Sequence, residues 1–108
     1  MSIDYDGRRF RRRGATDGVV ASYRQEGDLV WAEFSGGHVL RGTLTGLCDA
    51  NDALNFAYTM VLASGDIISG HCVNTPQLGP DGSLTLREEW ERYGPHAASG
   101  TDFLEEVR

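Results

Sequence analysis

The chain has 108 residues, room for one domain around one core. Hydrophobic residues make up 40% and are spread along the whole length, which excludes a disordered chain, and no run of about 18 apolar residues is present to span a membrane. The 16 acidic residues outnumber the 10 basic ones, and the formal net charge of −6 opposes long-range attraction to nucleic acid. The opening Met1 to Asp6 is acidic and lacks the apolar region of a secretory signal. Five arginines then crowd around Phe10 (Arg8, Arg9, Arg11, Arg12 and Arg13), and Arg8 to Arg12 is predicted as a short first strand. Val19 to Gln25 is the second strand, Leu29 to Phe34 the third and His38 to Cys48 the fourth. Leu54 to Leu62 and Ile67 to Asn74 follow across the Ser64-Gly65-Asp66 turn. A loop from Pro76 to Ser83 leads to Leu84 to Tyr93, which also reads as helical (LREEWERY), but its alternation favours a strand. Gly94 to Gly100 is a loop, and Thr101 to Val107 is the last strand.

The prediction is therefore all-β, with eight strands in a meander. A flat eight-stranded sheet would leave two long edges and an uncovered apolar face. Rolling it into an antiparallel up-and-down barrel removes both problems. Closure sets the basic first strand beside the acidic last one, so that Arg8 to Arg13 pair with Asp102, Glu105 and Glu106. That reading of the arginines competes with a basic arm for nucleic acid, which the acidic balance disfavours.

Alternation assigns the faces. Leu54, Phe56, Tyr58, Met60 and Leu62 share one face and must point inward. Leu40, Gly42, Leu44 and Gly46 share a face, as do Val19, Ala21, Tyr23 and Gln25, and as do Leu84, Leu86, Glu88 and Trp90. The lining is then Trp31 or Phe34, Phe56, Tyr58, Met60 and Trp90, interrupted by Tyr23, Gln25, Glu88 and one of His71 and Cys72. A mostly apolar wall with sparse polar anchors suits a small molecule, and it equally suits a filled core. Gly42, Gly46 and Gly70 lie inside strands, where they mark a sharp bend of the wall or room for a ligand.

Glu88 stands between Leu86 and Trp90 on the inward face, where burial raises the pKa of a carboxyl. Three roles remain open: an ion pair with Arg8, Arg12 or Arg41, a general acid or base, and a ligand anchor. His71 and Cys72 are strand neighbours on opposite faces, so they make no nucleophile dyad. An inward His71 near Tyr58 would shuttle protons. The sequence holds no G-x-S-x-G elbow, phosphate loop or dinucleotide fingerprint, and no metal-ligand spacing, so no metal and no cofactor are expected.

Several short motifs recur together: Tyr5-Asp6-Gly7 with Phe10, Tyr23-Arg24-Gln25-Glu26-Gly27, Ser35-Gly36-Gly37 with Gly42 and Gly46, Gly70-His71-Cys72 with Thr75-Pro76, Glu88 with Trp90, and Glu105-Glu106. On these the chain resembles a family of small bacterial proteins labelled N-acetylglutamate synthase-like. The acetyl-CoA loop Q/R-x-x-G-x-G/A of acetyltransferases is absent: in Arg11-Arg12-Arg13-Gly14-Ala15-Thr16, Thr16 stands where Gly or Ala is required. What the resemblance implies is a calycin-like barrel similar to the avidins and lipocalins, a fold-level analogy only.

The leading expectation is a cytoplasmic barrel that binds a small, largely apolar or aromatic metabolite. Trp31, Phe56, Tyr58, Met60, Cys72 and Trp90 would give contact area, and Tyr23, Gln25 and Glu88 orientation. The alternative is a cofactor-independent isomerase, cyclase or dehydratase of a biosynthetic pathway, in which Glu88 with Tyr58 or His71 moves protons. A third class is a protein-interaction module, a homodimer included, that meets its partner through the acidic strand edge. The cytoplasmic setting follows from two scattered cysteines without an export signal.

Overall fold

The period-two pattern of Leu54 to Leu62 forms a strand in which Leu54, Phe56 and Tyr58 are buried while Asn55, Ala57 and Thr59 are exposed. The same alternation, repeated, builds the whole molecule. The computed structural model describes residues 2–108. It has β1 (Arg9–Arg12), β2 (Val20–Glu26), β3 (Leu29–Gly36), β4 (Val39–Cys48), β5 (Leu54–Leu62), β6 (Ile67–Leu78), β7 (Leu84–Arg92) and β8 (Ala98–Val107). Each strand pairs antiparallel with the next, and β8 returns to β1, closing an up-and-down barrel. Gly27 and Gly65 turn two of the hairpins at φ values of 61° and 89°, where a side chain would be strained.

Closure follows the charge pattern. Arg9 faces Val107 and Arg12 faces Leu104 across the β1–β8 ladder. Arg8 reaches Glu106 at 3.0 Å and Arg11 reaches Glu105 at 2.9 Å. Such surface pairs are worth at most about 1 kcal/mol each, so they fix register more than they add stability. Leu86 to Arg92 is strand, as its alternation required, and not helix.

Three details depart from the sequence reading. β6 runs through Pro76 to Leu78, and β8 begins at Ala98 after a single 3-10 turn at Gly94–His96, so both supposed loops are shorter. Leu40 is 62% exposed and not inward, because the register slips between Val39 and Arg41 and a bulge flips its side chain outward. The glycines inside strands leave no room for a ligand. Each sits opposite an aromatic residue on the neighbouring strand: Gly42 opposite Phe34, Gly46 opposite Phe56, Gly70 opposite Tyr58 and Gly100 opposite Trp90. A Cβ on Gly100 would lie 2.6 Å from the Trp90 ring, and one on Gly70 would lie 2.6 Å from the Tyr58 hydroxyl. At Gly42, Gly70 and Gly100 the opposing ring lies against the glycine, and at Gly46 the backbone of Asn55 and Phe56 does.

One end of the barrel is plugged by the segment before β1. Tyr5 is 0% exposed, and its hydroxyl donates to the Asp52 carbonyl at 2.6 Å. The Tyr5 amide donates to Gln25 Oε1, and the Ile3 amide to Asp52 Oδ1, both at 2.9 Å. Asp52 itself takes a left-handed backbone, φ 64°, in the β4–β5 turn. Inside, the Tyr5 ring packs on Phe10 and Tyr23, with centroids 6.5 and 6.3 Å away. The barrel is thus a cup with a floor.

Candidate functional site

Above that floor lies a cavity of about 230 Å³. It reaches the end of the barrel that carries the β1–β2, β3–β4, β5–β6 and β7–β8 connections, with Arg12, Asp17, His38 and Arg92 at its rim. Its walls are mostly apolar: Phe10, Phe34, Leu44, Phe56, Met60 and Leu104. Tyr23, Tyr58, Cys72, Glu88, Trp90 and Asp102 supply the polar atoms.

Of the residues picked from the sequence, the cavity gathers Tyr23, Phe56, Tyr58, Met60, Cys72 and Trp90, together with Glu88. Trp31, Gln25 and His71 are placed elsewhere. On β3 the inward residues are Val30, Ala32 and Phe34, so Trp31 lies on the outer wall, and Phe34 takes the position in the cavity. The choice follows from register, since Ala32 pairs with buried Tyr23 while Trp31 pairs with exposed Arg24. Gln25 points in but belongs to the floor: its Oε1 accepts from the Tyr5 amide, and its Nε2 donates to the Gly27 carbonyl at 2.9 Å. His71 faces outward and hydrogen-bonds the Asn55 side chain, while Cys72 faces inward and is buried. Both Cys48 and Cys72 are free thiols.

Glu88 has no arginine. Arg8 is paired with Glu106, Arg12 with Asp17 at 3.4 Å, and Arg41 with Glu33 at 2.8 Å on the outside. The ion-pair expectation for Glu88 is therefore overturned. What lies beside it is polar and uncharged on one side and acidic on the other. Asn74 on β6 and Asp102 on β8 are its direct partners across the two ladders. Burial pushes the Glu88 carboxyl up to about 7. The Asn74 amide works in the opposite direction, and the charge of Asp102 adds to the rise. Asn74 is 0% exposed, yet neither its Nδ2 nor its Oδ1 closes a hydrogen bond within 3.5 Å. The Trp90 Nε1 is likewise buried without an acceptor.

The phenols and the thiol that surround it stay neutral at physiological pH. Burial, then the nearby Glu88, holds the Tyr23 phenol well above its usual range. The same two causes, with Asp102, raise the Cys72 thiol. Tyr58 is raised chiefly by burial, and its hydroxyl donates weakly to the Glu91 carbonyl at 3.5 Å. At the rim the Arg92 guanidinium sits 5.5 Å from the centre of the Trp90 ring. The arrangement can hold an aromatic or aliphatic body in the cup and offer it a carboxyl, an indole N–H and phenols.

Two members of this set escaped the sequence reading. Asp102 looked like part of an acidic surface run, although Gly100, Asp102 and Leu104 alternate inward. Asn74 ended a predicted strand that continues past it.

Among the described residues no helix is long and apolar enough to cross a membrane. No curated protein and no solved structure matches the chain. The family model described as "Avidin-like protein" matches residues 3–107, from the floor segment to the end of β8. With the closed eight-stranded barrel, this match establishes that the chain belongs to the avidin-like protein family.

Proposed function

We propose that the barrel binds a small, largely apolar or aromatic metabolite inside the cup. The observation that carries this reading is the cavity of about 230 Å³, floored at one end, open at the other and walled by aromatic rings. An interior void of about 150 Å³ already suffices for benzene in an engineered protein. A core that had evolved only to be filled would not leave such a space beside an unpaired Glu88 and an unpartnered Trp90 Nε1. The test is a thermal-shift screen of small aromatic and alicyclic metabolites against the protein and its Ala21→Phe variant. Ala21 lines the cavity, and a ring there fills it. Stabilisation of the parent that the variant loses supports the reading; stabilisation retained by Ala21→Phe places binding elsewhere and overturns it.

A second reading, a cofactor-independent enzyme of proton transfer, draws on a carboxyl that titrates near neutrality against an apolar wall. It rests on Glu88 with Tyr58, both of which line the cavity, because His71 lies outside. Proton exchange at an activated carbon of a bound ligand, followed in heavy water by NMR and lost in Glu88→Gln, distinguishes it from simple binding.

A further inference from the structure

The polar groups of the interior are not scattered. Asn74, Glu88 and Asp102 stand in register on three adjacent strands, β6, β7 and β8, forming one row across the inner wall. Two of the three are carboxyls placed directly opposite each other, an arrangement that repels when both are charged. Among the described residues no cation pairs with either of them. Arg11 and Arg12 at the rim are engaged by Glu105 and Asp17, and Arg92 lies over Trp90. The third member, Asn74, is wholly buried; its amide closes no hydrogen bond within 3.5 Å, yet it lies beside Glu88 and favours the ionised carboxyl. Glu88 and Asp102 both line the cavity, so an acidic couple without a counter-ion faces the space a ligand would fill.

We propose that the cup takes a small amine in its protonated form, with the ammonium nitrogen bound by Glu88 and Asp102 and its apolar body against Trp90, Phe34 and Phe56. This rests on the ligand-binding reading above and names the ligand's chemical class. An ammonium group supplies the missing positive charge, and its N–H donors match the two carboxylates that line the cavity. A neutral ligand leaves the carboxyl couple unrelieved, and an anionic one adds a third negative charge to it. The Trp90 Nε1 remains free to donate to an oxygen elsewhere on the ligand.

The test uses three probes of similar size: phenethylamine, 2-phenylethanol and phenylacetate. In the Trp31→Phe background, whose substitution lies on the outer wall, Trp90 is the single tryptophan, and its fluorescence reports the cavity. At about pH 8, where the Glu88 carboxyl is mostly ionised, the amine is expected to bind at least about tenfold tighter than the alcohol, with the acid weakest. The double variant Glu88→Gln/Asp102→Asn should erase that preference while still binding the alcohol. If the alcohol or the acid binds as tightly as the amine, or if the double variant keeps the preference, the amine assignment falls while the pocket stands. If none of the three binds, the pocket reading falls with it.

Discussion

Replacing Glu88 by Gln should make the protein more stable, and by an amount that grows with pH. Glu88 has an ordinary value of 4.5 and is held at about 7 in the fold, first by burial. The groups facing it do not offset this. Asp102 from β8 opposes its ionisation, Tyr23 from β2 and Cys72 from β6 stay neutral, and Arg12 and Arg92 are engaged at the rim. The sign follows. Below about pH 4.5 the carboxyl is protonated in both folded and unfolded chains, and stability is at its full value. Between about 4.5 and 7 the unfolded chain ionises while the folded one resists, so stability falls as pH rises. Above about 7 the loss is complete, and a difference of this size is worth about 3 kcal/mol. The Gln variant keeps the shape and lacks the titration. Urea unfolding of both proteins, followed by far-ultraviolet circular dichroism at several pH values from about 5 to 8, reads the difference directly. The ion pairs common to both proteins cancel in the subtraction. The difference should be under about 1 kcal/mol at about pH 5 and should approach about 3 kcal/mol in favour of Gln at about pH 8. A difference that does not change with pH, or a Gln variant less stable at pH 8, would refute the view of Glu88 as a buried carboxyl without a counter-ion. A residue that weakens the fold and faces a cavity is the pattern of a group kept for binding.

Further outcomes follow from named contacts. Tyr5→Phe removes the hydroxyl from the Asp52 carbonyl and should cost about 1 kcal/mol in urea unfolding, with the barrel otherwise intact. Gly46→Ala drives a Cβ into the backbone of Asn55 and Phe56, so its melting temperature should drop steeply; Gly100→Ala meets only the Trp90 ring, so it should shift Trp90 emission and weaken ligand binding more than it lowers the melting temperature. His71→Ala and Trp31→Phe change only the outer wall, and ligand affinity measured by calorimetry should stay within about twofold of the parent.

Much of the fold was readable because alternation is a strong signal where one face is buried. Leu54 to Leu62 declared its inward set unaided, and the basic start and acidic end announced that β1 and β8 are neighbours. The errors came where the period alone is ambiguous. In Leu29 to Phe34 both faces carry large apolar residues, and only the register with Tyr23 selects Phe34 over Trp31. At Leu40 a bulge shifts the phase by one residue, which no local pattern reports. The strand glycines were visible as a list, but their purpose lies in the opposing ring, and that pairing exists only once the strands are in register. The floor was hidden for a similar reason: Tyr5 lies outside any strand, and its anchors, Gln25 and Asp52, are distant in sequence. The row of Asn74, Glu88 and Asp102 joins three strands, so Glu88 was legible alone while its two neighbours were not.

The most direct test of the account is a crystal structure of the protein soaked with phenethylamine at about pH 8. The account predicts ring density inside the barrel against Trp90 and Phe34, with the nitrogen within about 3 Å of both the Glu88 and Asp102 carboxylates. Density confined to the outer wall, or an interior closed by side chains with no room for the ring, would contradict it.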